Sequence, residues 1–216
     1  MTFKNTKGIY GVGINDAGYE TQVNGKHCLF YLKWKTMLLR VYKKPYDCYE
    51  HTKVCEEWLT FSNFKAWMET QDWEGKVLDK DLLGDGSLYS PETCCFIEPK
   101  INSFLASEKK QGKYLRGVSK NYNRYFSRCS NPFTGKREFV GRFNCEVAAH
   151  IAYKAKKLEY AIKLSEELEE PLAKALVNKY KLGNGSAGSL DFDLESYTLK
   201  PVEPLKAPVV NRKDDF

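Results

Sequence analysis

Asp79, Lys80, Asp81 and Asn102 are the residues of this chain whose types and spacing most suggest chemistry. A carboxylate and an amide oxygen are hard donors, and Asp79 with Asn102 could clasp a metal ion. They bracket KVLDKDLLGDGSLYSPETCCFIEPKIN (76–102), which opens like a strand, turns through Gly and Asp, runs apolar again and then begins a helix. Lys80 stands beside the first of them. A lysine is ordinarily protonated at neutral pH and serves as a base only where burial or a nearby cation strips its proton. A charged lysine can instead bind phosphate. Asp81, two residues from Asp79, shares its strand face and suits a second ligand or a base. His51 is a candidate base from outside this stretch, although a lone histidine is ordinarily structural, and His27 and His150 are weaker candidates.

The other metal-binding residue types point elsewhere. The 7 cysteines are an odd number, without regular spacing and without a C-x-x-C pair. That argues against structural zinc and against a secreted disulfide framework, and fits free thiols in a reducing compartment. The N-terminal MTFKNTKGIYGVGINDAG lacks the apolar centre of a signal peptide, and no window approaches the ~18–20 apolar residues of a membrane span. A cytoplasmic protein is expected.

The elements that must position these residues follow from periodicity. With 216 residues and 42% apolar content the chain can build one or two cores. LFYLKWKTMLLRVY (29–42) and EEWLTFSNFKAWM (56–68) carry aromatic and aliphatic residues at three- and four-residue spacing and predict two helices. The stripe Trp58, Phe61, Phe64, Trp67 is expected in the core. GKVLDKD and TCCFIE predict short strands, and KINSFLASEKK a helix after Pro99. A long helix is expected from Asn144, its cap, with Val147, Ile151, Ala155, Leu158 and Ile162 as the apolar face. PLAKALVNKYKLG reads as a further short helix. GNGSAGS reads as a linker and the last stretch, 190–216, as a tail that could contact a partner.

Between Gln111 and Cys145 lie Lys113, Arg116, Lys120, Arg124, Arg128, Lys136, Arg137 and Arg142, with Glu138 the one acid. Three strands are predicted here: RGVSK, RYFSRCS and REFVGRF. Alternation puts Arg124, Phe126 and Arg128 on one face, with Tyr125, Ser127 and Cys129 on the other, and pairs Arg137 with Phe139. A small sheet cannot bury rows of arginine, so that face is solvated or meets an anion. Arginine suits bidentate contacts with phosphate and guanine, and a nucleic acid is the expected partner.

YLRGV, REFVGRF and EVAAHIAYKAKK make this segment resemble the plant ethylene-response-factor (APETALA-type) DNA-binding domain. The resemblance implies a three-stranded antiparallel sheet lying in the DNA major groove and backed by one helix. Arg116, Ser119, Arg124, Arg128, Ser130, Arg137 and Phe139 would then face DNA. Ser119 and Ser130 stand where the plant domains commonly carry arginine, Arg128 where they carry glutamate, and Phe139 where they carry tryptophan. The target sequence is therefore not inherited.

YGVGINDAGY, VCEEWLTFSNFKAWM and LDKDLL…YSPETCCFIEPKIN are similar to phage HNH endonucleases that carry an APETALA-like domain after the nuclease. The two resemblances span residues 8–165. They imply an α+β fold: an N-terminal helical region with a ββα-metal core, then the sheet and helix. The domains implied are 1–108, 111–182 and a linker and tail over 183–216. Asp79 matches the metal-binding Asp, and Asn102 the helical ligand. Lys80 departs from the family at the general-base histidine, and Thr93 at a structural asparagine. Lys80 and Asp81 are left as the candidate catalytic pair.

Three functions follow as expectations. One is a metal-dependent DNA endonuclease, homing-like, that nicks or cuts. The second is an HNH-fold DNA-binding protein without catalysis, acting in regulation or phage–host conflict. The third is a module aimed at a host protein through the tail.

Overall fold

The computed structural model describes residues 8–43, 49–106 and 112–181. The expected linker and tail lie outside the described residues. The fold is mixed α+β. Two short strands, β1 (Gln22–Val23) and β2 (Lys26–His27), form a hairpin ahead of helix α1 (Leu29–Leu38), which continues as one π-helical turn over Leu39–Lys43. Next come β3 (Lys53–Val54), a 3-10 turn (Glu57–Leu59) and α2 (Phe61–Glu69).

The second predicted helix is thus split in two. Thr60 is extended, because Ile14 bridges it: the Ile14 amide donates to Leu59 and the Phe61 amide donates to Ile14. Asp16 then caps α2 from afar, one carboxylate oxygen accepting the Ser62 amide at 2.9 Å. The aromatic stripe still does what its spacing predicts. Trp58, Phe61 and Phe64 are buried with Trp34, Met37 and Leu38 in a first core, and Trp67 packs on it half-buried. Burying a Phe or Met side chain contributes roughly 1.5–3 kcal/mol, and the Trp34 indole keeps its donor satisfied on the Trp58 carbonyl at 2.7 Å.

The strand–turn–strand–helix order read in the sequence is present. β4 (Val77–Asp79) pairs antiparallel with β6 (Cys95–Ile97), and α3 (Pro99–Ala106) follows. The long loop between the strands contains β5 (Leu88–Tyr89), which pairs parallel with β3. β6 is buried along its whole length: Phe96 faces the first core, while Cys95 and Ile97 face a second.

Residues Val118–Asn121 (β7), Arg124–Ser130 (β8) and Arg137–Phe143 (β9) form the expected antiparallel sheet in the order β7-β8-β9. Behind it lie α4 (Glu146–Ser165) and α5 (Leu172–Tyr180). Two expectations about α4 are corrected. Its cap is Cys145, whose sulfur accepts the Ala148 amide, and not Asn144. Its buried face runs through Ala149, Ala152, Tyr153, Lys157, Tyr160, Ala161 and Leu164, while Val147 and Ile162 are exposed. Small alanines let the helix lie close to the sheet. Gly117 shows how close: a Cβ there would sit 2.1 Å from the Tyr153 ring.

The second core joins what the sequence divides at 108–111. Leu82, Ile97, Ile101, Phe104 and Leu105 pack with Tyr153, Tyr160, Leu164, Leu176 and Tyr180. The Phe104 carbonyl, near the end of α3, accepts the buried Lys157 ammonium at 3.0 Å and the Tyr180 hydroxyl at 3.4 Å. A cation at a helix C-terminus is favoured by the helix dipole. All described residues belong to one compact unit.

Candidate active site and nucleic-acid interface

Asp79 ends β4, and the chain turns sharply after it. One carboxylate oxygen of Asp79 accepts the amides of Asp81 at 2.9 Å and Leu82 at 2.7 Å, which fixes the turn that carries Lys80 and Asp81. Lys80 and Asp81 form an ion pair at 2.8 Å. Lys80 is buried, and its ammonium lies over the Tyr49 and Tyr89 rings at 5.5 and 5.8 Å. The Gly–Asp turn is needed for this approach. Gly86 has φ +83°, and a Cβ on it would come within 2.3 Å of the Asp81 carboxylate. Thr93 fills the place where the HNH resemblance expects a structural asparagine. Its hydroxyl donates to the Leu88 carbonyl at 2.8 Å and accepts the Ser90 amide at 3.2 Å, holding the loop closed.

A cavity of about 360 Å³ opens at this turn, and Asp79, Lys80, Asp81 and Asn102 all line it. The strand end and the helix therefore bring together the four residues singled out in the sequence. His51 is exposed and outside the lining, and neither His27 nor His150 reaches it. The His150 ring instead meets the Arg116 carbonyl at 2.8 Å.

Further lining comes from α1 and its π-helical continuation, through Lys33, Thr36 and Arg40. The sequence reading missed these residues, because a polar row opposite an apolar stripe reads as the solvated face of an amphipathic helix. Arg40 sits in the π-helical turn, a distortion common at functional sites. Lys33 is held below the usual lysine range, chiefly by burial and then by the neighbouring Arg40 charge.

Burial dominates the electrostatics of the acid and thiol groups. Desolvation raises the Asp79 carboxyl above its ordinary value against the two amides that lower it. The Cys94 and Cys95 thiols are pushed up to about 12 by burial, so neither is a ready thiolate. Among the described residues no cluster of three or more His, Cys, Asp or Glu could hold a metal. The residues present fit a hard cation that takes one or two protein oxygens and keeps water as its further ligands: the buried Asp79 carboxylate and the Asn102 amide line one cavity, and a cation offsets the cost of ionising Asp79.

The second candidate surface is the sheet face turned away from α4. Ser127 and Cys129 are buried against the helix side, while Arg124, Arg128, Ser130, Arg137 and Phe139 are exposed. Ser119 lies opposite Phe126 on the outer face, half-buried. Arg116 is half-buried and precedes β7. A bulge changes the count. Ser127 pairs with Gly141 and Arg128 with Phe139, which leaves Val140 as the extra residue of β9. Val140 packs on the second core, and beyond the bulge the alternation is reset. Arg142 is therefore exposed opposite Phe126, a place simple alternation denies it. Gly141 within a strand pattern was the available signal.

The outer face thus alternates in both directions: Phe126 opposite Arg142, Arg128 opposite Phe139, Ser130 opposite Arg137. Searched against protein-family models, curated proteins and solved structures, the chain has no match.

Proposed function

We propose that this chain is a DNA-binding endonuclease of the HNH type, homing-like, which hydrolyses a phosphodiester bond of double-stranded DNA with one divalent metal, Mg²⁺ or Mn²⁺. The observation that carries the reading is the cavity at the β4–β6–α3 unit, where Asp79, Lys80, Asp81 and Asn102 converge on one compact unit with an arginine-bearing sheet. Asp79 and Asn102 would hold the metal, which when bound supplies positive charge against the phosphate. Lys33, Arg40 and Lys80 give the cavity the cationic walls a phosphate needs. Asp81 accepts the proton of the attacking water as its oxygen bonds to phosphorus. The Lys80 ammonium gives a proton to the departing oxygen as the old P–O bond breaks. Their 2.8 Å contact lets that proton return from Asp81 to Lys80 and restores the pair.

The same ion pair also favours a second reading, a DNA-binding protein of this fold without catalysis. Lys80 stands where the family resemblance expects a histidine base, and its ammonium is already bound to Asp81. Incubating supercoiled plasmid with the protein and Mg²⁺, Mn²⁺ or EDTA separates the two. Asp79→Asn keeps an oxygen for the Asp81 and Leu82 amides and is expected to fold. An endonuclease nicks or linearises the plasmid with metal only, and the variant loses at least roughly a hundredfold of that rate, the scale of removing one group that stabilises developing charge. Retarded bands on a binding gel without any cleavage select the second reading.

A further inference from the structure

β7 and β8 are joined through Tyr122 and Asn123, since Asn121 is the register partner of Arg124. Two-residue hairpin loops favour Gly, Asn or Asp at positive φ, because a Cβ is crowded there. Tyr122 nevertheless has φ +48°, with an asparagine on either side of it. Its ring is 91% exposed, and among the described residues no ring contact or cation contact engages it. The fold therefore holds a bulky aromatic in a backbone region that disfavours it, and gains no packing in return. Backbone strain at an exposed side chain is characteristic of sites kept for a partner.

The surroundings indicate the partner. Tyr122 extends from the hairpin whose next outward pair is Asn121 and Arg124. Behind it lies the alternation of Arg142, Arg128 and Arg137 with Phe126 and Phe139, whose rings are 6.4 Å apart. Guanidinium groups meet phosphates, and in a duplex groove aromatic rings meet base edges such as the thymine methyl. We infer that Tyr122 is a nucleic-acid contact residue, its ring packing against a base edge in the groove of the DNA that the outer sheet face holds. This rests on the DNA-binding reading above and adds a contact that neither strand alternation nor the family resemblance supplies.

Binding of the full chain to a fluorescein-labelled mixed-sequence duplex, followed by anisotropy across a salt series, tests it together with thermal unfolding of each variant. Tyr122→Asn is expected to bind about five- to a hundredfold more weakly, the range for losing one base contact in a duplex complex. Its salt dependence stays that of the wild type, because no phosphate contact is lost. Its melting temperature is equal or higher, because asparagine suits the left-handed position. Tyr122→Phe binds like the wild type. Arg128→Ala weakens binding and flattens the salt slope. Binding of Tyr122→Asn within twofold of wild type, with Arg128→Ala impaired, overturns the base-contact role and leaves DNA binding by the sheet standing. A lowered melting temperature in Tyr122→Asn also overturns it, by making the ring structural. A wild-type protein with no affinity for the duplex overturns this inference and the DNA-binding reading together.

Discussion

Glu138, the one acid in the basic segment, is occupied on the helix side of the sheet. One carboxylate oxygen accepts the Tyr160 hydroxyl and the other accepts the Asn131 amide at 2.6 Å. These bonds, Tyr160 first and Asn131 second, hold the carboxyl below its ordinary 4.5. The folded state therefore favours the ionised form. Its stabilisation is complete above the unfolded carboxyl's pKa and is lost as pH falls through the lower folded value. Glu138→Gln is expected to melt below the wild type at pH 6, with the gap closing on acidification towards pH ~3. A gap that stays constant across a pH series of thermal melts counts against this. Individual side chains differ in how far the sequence disclosed them. Asp79 and Asn102 were legible because both belong to one short continuous unit, whereas Lys33 and Arg40 reach the same cavity only through tertiary folding. The three histidines were visible as residue types, but their placement away from the cavity was not.

The helix and the sheet were legible at different depths. The three strands of the basic segment appear where their patterns put them, because alternation is a local property. The bulge at Val140 is not local in that sense: it exists because Gly141 fits opposite the buried Ser127, with the Phe143 ring 2.9 Å from where a Cβ would lie. The face of α4 was misread for a related reason. Periodicity finds a large apolar stripe, but the sheet accepts alanines and tyrosines, and a buried Lys157 looks polar in the sequence. Gly117 tests this close contact. At φ +76° and against the Tyr153 ring it has no room for a methyl group. Gly117→Ala is expected to cost about 2–4 kcal/mol, overpacking together with a left-handed alanine. Chemical denaturation measures this. A loss under about 1 kcal/mol would mean that α4 yields easily to a small shift.

Across the whole molecule, the described part behaves as one structure with two cores and a common wall. All 4 tryptophans, at 34, 58, 67 and 73, belong to the first half of the chain, and the first core includes or touches each of them. The sheet and α5 depend on the second core. Since β6 is buried between both, unfolding monitored by tryptophan fluorescence and by far-UV circular dichroism is expected to give coincident denaturant curves. A tryptophan transition that completes before or after the loss of secondary structure would show that the wall does not couple them. The two sequence resemblances suggested domains in series; packing of Phe104 and Ile101 against Tyr160 and Leu176 could not be read from either one alone. That wall also bears on inheritance. A recombination event between residues 106 and 112 would leave α3 without the aromatic and aliphatic cover of α4 and α5, and would leave those helices without α3. The two halves can be exchanged only with their matching surfaces, so the described part is one folding unit rather than two modules free to be shuffled.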